Sequence, residues 1–227
     1  MYAGGLLHGY NFITSTWSTL VLQQPISGQT GLMYFPNFFE GSMMRLNPTT
    51  KSHDSVPMPT PLIPSRQFSV AWSASLQKML FIGGTTGAAE QLDRLNMYSY
   101  NTKDGWVDLA QVVKGPVPAA RSFACFVPAS GGSKMIVFGG FTKGRASVLP
   151  DIYILDVATM TWTKGANLGL KDQRAEAACA VSNDQFISWG GRATGEPLNS
   201  TIVYNIKTNQ WTSAYTAAAL PTSTYDG

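Results

Sequence analysis

The sequence predicts an all-β fold that consists of repeated antiparallel sheets. An apolar run that ends in two glycines occurs at residues 81–84, 137–140 and 188–191. Each run is followed by a Tyr-containing run that ends in Asn or Asp and, five or six residues later, by a tryptophan. The second glycines of successive runs are 56 and 51 residues apart, and Trp106, Trp162 and Trp211 are 56 and 49 residues apart. A period near fifty residues indicates an array of similar units that stack to bury their apolar faces.

The first unit, at residues 1–22, is partial. Residues 10–17 match residues 204–211 in type, with Tyr-Asn, a polar turn and then tryptophan. The opening Met-Tyr-Ala-Gly-Gly looks like the end of a diglycine strand, so we expect the chain to be truncated or to start inside a larger gene product.

The second unit, at residues 28–59, is degenerate. Tyr34, Phe35 and Pro36 stand where a diglycine strand is expected. Asn47 and His53 keep the six-residue spacing, so His53 takes the tryptophan position. Because His53 follows Trp17 by only 36 residues, we expect a three-stranded sheet or a deletion here.

Three complete units follow, at residues 66–110, 121–165 and 174–213. The predicted strands are 68–72, 79–83, 95–100 and 106–109; then 122–127, 135–139, 151–156 and 161–164; then 175–181, 185–190, 200–205 and 210–213. The short connections indicate antiparallel meanders, and no segment has helical periodicity. The Asn or Asp at each third-strand end is expected to cap a tight turn. All units form one domain, 1–214, and residues 215–227 are a connecting tail rich in Ala, Thr, Pro and Ser.

Composition excludes several classes of function. The net charge of +3 is small and scattered, which argues against nucleic acid and leaves a weak preference for acidic partners. No apolar run is long enough to span a membrane. Neither a Walker-type phosphate loop nor a Gly-x-Ser-x-Gly motif occurs, and we expect no cofactor.

The two cysteines, Cys125 and Cys179, lie four and five residues after Arg121 and Arg174. We expect them to be packed as small apolar residues in neighbouring units, with a disulfide or a metal site as the alternatives. The cysteine count therefore leaves the redox compartment open. One triplet for N-glycosylation begins at Asn199, in a loop or at a strand edge, and it matters only if the chain is secreted.

The diglycine strand, the Tyr strand ending in Asp or Asn and the following Trp resemble the kelch repeat, whose fold is a β-propeller of four-stranded antiparallel blades. The resemblance covers nearly the whole chain and implies an incomplete or open propeller of about four to five blades. Residues 184–191 and 204–211 look more narrowly like fungal kelch propellers of the galactose oxidase-like kind. Such proteins often carry a stalk and a membrane helix, so an extracellular or cell-surface ectodomain is favoured, with a cytoplasmic location as the alternative.

The resemblance also implies a ligand-binding face. In kelch propellers the loops corresponding to 85–94, 141–150 and 192–199 gather at one face with the linking loops 114–121 and 167–174. We expect arginines at the start of three units to form an arc there. Because a guanidinium group suits a carboxylate, an acidic peptide or a sugar acid is the expected ligand. The candidate residues are Arg66, Arg121, Arg174, Thr85, Thr86, Phe141, Thr142 and Arg192. The alternative is that the arginines bond backbone carbonyl groups between blades.

The preferred function is a non-enzymatic scaffold that binds a protein or peptide, acidic in character, through its loop face. The alternatives are a galactose oxidase-like copper enzyme and a carbohydrate-binding ectodomain of a fungal surface protein. The resemblance implies two histidines and two tyrosines for copper, but His8 and His53 are expected far apart, in a loop and on an outer strand. An iron site of the kind found in plant specifier proteins also lacks its cluster of acids and histidine.

Overall fold

A computed structural model of the chain describes residues 6–11, 16–21, 31–37, 41–59, 66–85, 95–193 and 195–216. The described residues form seventeen strands in five antiparallel sheets. The strands are β1 (Leu6–Asn11), β2 (Thr16–Val21), β3 (Met33–Asn37), β4 (Ser42–Leu46), β5 (His53–Pro57), β6 (Arg66–Ser73), β7 (Lys78–Thr85), β8 (Met97–Asn101), β9 (Gly105–Asp108), β10 (Cys125–Ala129), β11 (Lys134–Phe138), β12 (Ile152–Asp156), β13 (Thr161–Lys164), β14 (Ala178–Ser182), β15 (Gln185–Trp189), β16 (Ser200–Asn205) and β17 (Gln210–Thr216).

Each sheet is a meander in chain order. The three complete units give four-stranded sheets, β6–β9, β10–β13 and β14–β17, as the repeat predicts. The degenerate unit gives the three-stranded sheet β3–β5, and β1 pairs with β2. His53 begins the last strand of its sheet, whereas His8 lies in β1 and not in the loop where it was expected.

The sheets stack face to face like the blades of a propeller. On β7, Leu80 and Ile82 belong to one apolar cluster with Trp162 of the following sheet. Phe81 on the opposite face belongs to another with Tyr34 of the preceding sheet. These five side chains are at most 2% exposed. Because both faces of the strand are covered, the sequence shows a continuous apolar run instead of an alternating one.

The hairpin turns between the third and fourth strands are capped as predicted. The Asp156 carboxylate accepts hydrogen bonds from the backbone N–H groups of Ala158 and Thr159 at 3.1 and 3.0 Å. These bonds, with one from the Thr159 hydroxyl, lower the pKa of Asp156. Asn47 and Asn205 make the same pair of backbone contacts two and three residues ahead.

The diglycines allow neighbouring blades to approach closely. Gly139 and Gly140 have φ values of +64° and +95°. A Cβ atom on Gly139 would overlap the carbonyl oxygen of Arg174 in the next blade. Gly140 donates its N–H to that same oxygen at 3.1 Å. A side chain at Gly139 would therefore break an inter-blade contact as well as strain the backbone.

The cysteines were expected to be free apolar residues, and that prediction is wrong. Cys125 on β10 and Cys179 on β14 form a disulfide, with their Cα atoms 5.9 Å apart. The bond joins the first strands of two consecutive blades, and 54 residues separate its two ends.

Candidate functional site

The pairing register places the three predicted arginines at two different positions. Arg66 pairs with Thr85, the residue that follows a diglycine. In the next two blades the residues after the diglycines pair with Ser122 and Ala175. Arg66 therefore corresponds to Ser122 and Ala175, and Arg121 and Arg174 lie one position earlier. The prediction of a matched arc of three arginines is wrong in this respect.

Arg121 is buried inside its own blade and is not at a rim. Only 1% of it is exposed. Its Nη1 donates to the Gly139 carbonyl at 3.0 Å and to the Asp151 carboxylate at 2.8 Å, and its Nε donates to the Ala119 carbonyl at 3.0 Å. The guanidinium group thus ties the start of β10 to the ends of β11 and β12.

Arg174 has the same structural role in the next blade. It is also 1% exposed, and its Nη1 and Nη2 donate to the carbonyl and hydroxyl oxygens of Ser200 at 2.9 and 3.1 Å. Its Nε donates to the Asp172 carbonyl at 3.1 Å, and burial lowers the pKa of Arg174. The side-chain bonds to Ser200 run within a blade and not between blades, since Ser200 begins the third strand of the same sheet.

The other predicted residues differ in their access to a ligand. Thr85 and Phe141 are 4% and 6% exposed and belong to the floor of the loop region. Thr142 accepts the Ser147 N–H at 3.0 Å and holds a local turn. The Arg192 side chain is 45% exposed. The structure describes only the backbone of Arg66, and Thr86 lies outside the described residues.

A second set of matched residues does form an arc across three blades. Gln67, near the start of β6, and Phe123 and Glu176, just before β10 and β14, occupy equivalent positions with φ values of +61°, +54° and +58°. Phe123 donates its N–H to the Gln67 carbonyl at 3.0 Å, and Glu176 donates to the Phe123 carbonyl at 3.0 Å. A positive φ is costly for a residue with a side chain, and such strain often accompanies functional sites.

Five side chains meet on this arc, and we call them the loop-face cluster: Phe123, Phe141, Arg145, Glu176 and Arg192. The Arg145 guanidinium lies over the Phe123 and Phe141 rings, at 4.6 and 5.3 Å from their centres. Its Nη2 is 3.7 Å from one Glu176 carboxylate oxygen, and the Arg192 Nε is 3.4 Å from the other. The cluster thus presents two cations, one anion and an aromatic floor.

The cluster is accessible and weakly held. The Arg145 and Arg192 side chains are 48% and 45% exposed, and that of Glu176 is 29% exposed. Ion pairs this exposed contribute about 0–1 kcal/mol each. An incoming carboxylate can therefore replace Glu176 between the two guanidinium groups at small cost.

A cavity of about 260 Å³ adjoins Arg145. Its lining residues are Gln67, Thr85, Ser122, Thr142, Gly144 and Arg145. Amide and hydroxyl groups of this kind can orient a peptide backbone or a small polar side chain beside the cations.

A larger cavity of about 860 Å³ lies at the other ends of the first strands. Its walls are mostly apolar, with Val70, Trp72 and Phe126 among them, and Asp184 is its acidic residue. Asp184 pairs with Lys207 at 2.7 Å, so its charge is already balanced. This cavity lacks the convergent cations of the loop-face cluster.

In the part of the chain that the structure describes, no group of three or more His, Cys, Asp and Glu residues could hold a metal ion. Both cysteines are engaged in the disulfide. Among the same residues, no helix has the length and apolar character needed to cross a membrane.

Sequence reasoning missed three members of the loop-face cluster. Arg145 lay within the predicted loop 141–150 but was not singled out. Phe123 and Glu176 gave no signal by residue type, since their role depends on the positive φ that they share. Each lies two residues after the buried arginine of its unit, Arg121 or Arg174. That shared spacing is the sequence signal by which the two positions could have been matched.

Comparisons with known proteins agree with this architecture. Residues 36–226 match the family model described as the KLHDC2/KLHL20/DRC7 Kelch-repeats domain. The chain is 29% identical over 156 residues to acyl-CoA-binding domain-containing protein 4 of Arabidopsis thaliana, a match that covers 67% of this chain and 22% of the relative. It is 33% identical over 112 residues to a putative F-box/kelch-repeat protein of the same plant, covering 45% of this chain and 31% of the relative. The chain thus spans less than a third of the length of either relative.

The family model matches most of the length of the chain, and the structure has the stacked meander blades of that fold. The chain belongs to the kelch-repeat domain family.

Proposed function

We propose that the chain is a non-enzymatic scaffold that binds an acidic protein or peptide segment through the loop-face cluster. Kelch repeats generally serve as protein-interaction scaffolds. The observation that carries the proposal is the Glu176 carboxylate between Arg145 and Arg192 above an aromatic floor. Glu176 occupies the place that a ligand carboxylate would take.

The physical basis is charge complementarity on a rigid support. Two guanidinium groups and one carboxylate leave the cluster with a net charge of +1. The stacking of Arg145 on two rings limits its freedom before a ligand arrives, which lowers the entropic cost of binding. The blade scaffold below is closely packed and supports the loops that carry the two cations.

A titration tests this function with a fluorescently labelled oligoglutamate peptide as the probe. We expect wild-type protein to bind it, and Arg145→Ala and Arg192→Ala each to weaken the binding by up to about fivefold, since an exposed ion pair contributes up to about 1 kcal/mol. Lys207→Ala is the matched control, because it removes one exposed cation that pairs with Asp184, beside the cavity at the other ends of the first strands. A wild-type protein that fails to bind, or two arginine variants that bind as well as Lys207→Ala, would contradict the proposal.

The ectodomain alternative is supported by a separate observation. The disulfide between Cys125 and Cys179 is typical of proteins from oxidising compartments. The narrower likeness to fungal galactose oxidase-like propellers, whose members are often surface ectodomains, fits such a location. Binding to an immobilised panel of neutral and acidic glycans would test it. Retention on sugars that Arg145→Ala leaves unchanged would favour the carbohydrate-binding alternative over the peptide scaffold.

A further inference from the structure

The disulfide depends on a one-residue offset between two blades. By strand register, Ser122 and Ala175 are equivalent, and Cys125 follows the first by three residues while Cys179 follows the second by four. Successive side chains of a strand point to opposite faces of its sheet. Cysteines at equivalent positions would lie on the same side of their respective blades and would not face each other. The one-residue offset places the Cys179 side chain on the opposite side of its blade, so that it faces Cys125.

The surroundings suit a permanent bond. The Cα separation of 5.9 Å lies in the usual range for a disulfide. Cys125 belongs to the apolar cluster between the two blades, where Ile136 and Phe138 are 0% and 1% exposed. Only 7% of Cys125 is exposed, so a reductant in solution has little access to its sulfur, whereas Cys179 is half-buried.

A second feature would acquire a role in the same compartment. Asn199 begins the chain's N-glycosylation triplet, and it is exposed just before β16. Arg174 donates to the backbone carbonyl of the neighbouring Ser200 at 2.9 Å, which holds the backbone of this segment in place. Attachment of an N-glycan needs an exposed asparagine in such a triplet, in a protein of the secretory route.

We propose that this chain matures in the oxidising compartment of the secretory route, with Cys125–Cys179 as a clamp between two blades and Asn199 as an N-glycan acceptor. The disulfide forms when the two thiols lose two protons and two electrons in total. The electrons reduce the disulfide of a thiol–disulfide oxidoreductase to a dithiol through a mixed-disulfide intermediate. The clamp lies two residues after Phe123 and three after Glu176, and it fixes the two blades that carry them.

Thiol trapping of the protein from its own cells tests the clamp. The cells are quenched in acid, the protein is denatured with N-ethylmaleimide, and its peptides are then analysed by mass spectrometry without reduction. We expect a peptide pair linked through Cys125 and Cys179, with neither residue alkylated. Alkylation of both cysteines before reduction would overturn the proposal.

The glycan is tested on the same sample with a peptide N-glycosidase in heavy-oxygen water. We expect Asn199 to be converted to isotopically labelled aspartate. Unmodified Asn199 in protein that contains the disulfide would overturn the acceptor site while leaving the clamp in place. Because neither measurement uses a ligand, failure of the peptide-binding proposal would not affect either result.

Discussion

Glycine can be required at position 139 for two reasons: its positive φ, and the close approach of the next blade. Replacement of Gly139 by alanine, compared with replacement of Gly144, separates the two. Gly139 has a φ of +64°, and its Cβ would meet the Arg174 carbonyl oxygen of the next blade. Gly144 has nearly the same φ, +65°, but no atom lies within 4 Å of the position of its Cβ. Gly144→Ala therefore measures only the free-energy cost of placing alanine at a positive φ. Gly139→Ala measures that cost together with the loss of the contact between blades.

The expected energies follow from the contacts. A left-handed conformation costs a residue with a side chain about 1–2 kcal/mol. Displacing the Arg174 carbonyl also breaks its bond with the Gly140 N–H at 3.1 Å and disturbs the bond of 3.0 Å from Arg121 to the Gly139 carbonyl. An unsatisfied buried group costs about 1–3 kcal/mol, and a bond to a charged group is worth about 1.5–3 kcal/mol. We expect a loss of about 1–2 kcal/mol for Gly144→Ala and about 3–6 kcal/mol for Gly139→Ala.

Urea unfolding followed by tryptophan fluorescence measures both losses. The comparison uses the free energies of unfolding in water and requires similar denaturant slopes for the two variants. If Gly139→Ala and Gly144→Ala differ by less than about 1 kcal/mol, close blade approach is not what the first glycine provides.

Three further predictions follow from the same contacts. Arg121→Met leaves the Asp151 carboxylate without its buried partner, so it should lower the free energy of unfolding by about 3–5 kcal/mol, whereas Arg192→Ala should lower it by about 0–1 kcal/mol. Equal losses in a urea titration would contradict the structural role of Arg121. Glu176→Gln should strengthen binding of the oligoglutamate peptide, because it removes the carboxylate that competes with the peptide for Arg145 and Arg192. It should change the free energy of unfolding by at most about 1 kcal/mol, because the ion pair that is lost is exposed and weak. Unchanged affinity would refute that competition. Replacing Cys125 and Cys179 with serine should lower the free energy of unfolding by about 4 kcal/mol, given the 54-residue separation, and reduction of wild-type protein should have the same effect. A reductant that destabilises the double variant equally would show that another process is responsible.

Local sequence signals predicted the blades well. The diglycines and the turn-capping Asp156 act through their own backbone neighbourhood, so residue type and spacing are sufficient to identify them. The order of the strands then follows from short connections. The three-stranded sheet at residues 31–57 was also accessible to sequence analysis, because Asn47 and His53 keep the turn spacing after the diglycine is lost.

The candidate site was harder to predict because its geometry depends on register between blades. Alignment of the units on their diglycines matches Arg66 with Ser122 and not with Arg121. The linking segments before the first strands contain no residue pattern of their own that reveals this register. The burial of Arg121 arises from contacts across its blade, and the position of Arg145 is fixed by stacking on rings of two different segments. The disulfide had a visible signal, since Cys125 and Cys179 differ by one residue in their distance from the preceding arginine.

Selection of peptides from a displayed random library tests the binding surface most directly. The library is selected in parallel on wild-type protein and on a variant that carries Arg145→Glu and Arg192→Glu. We predict enrichment of sequences rich in Asp and Glu on wild-type protein and loss of that enrichment on the variant, with urea unfolding confirming that the variant is folded. Acidic sequences that are enriched equally on both proteins, or a wild-type selection without acidic preference, would contradict the assignment of ligand binding to the loop-face cluster.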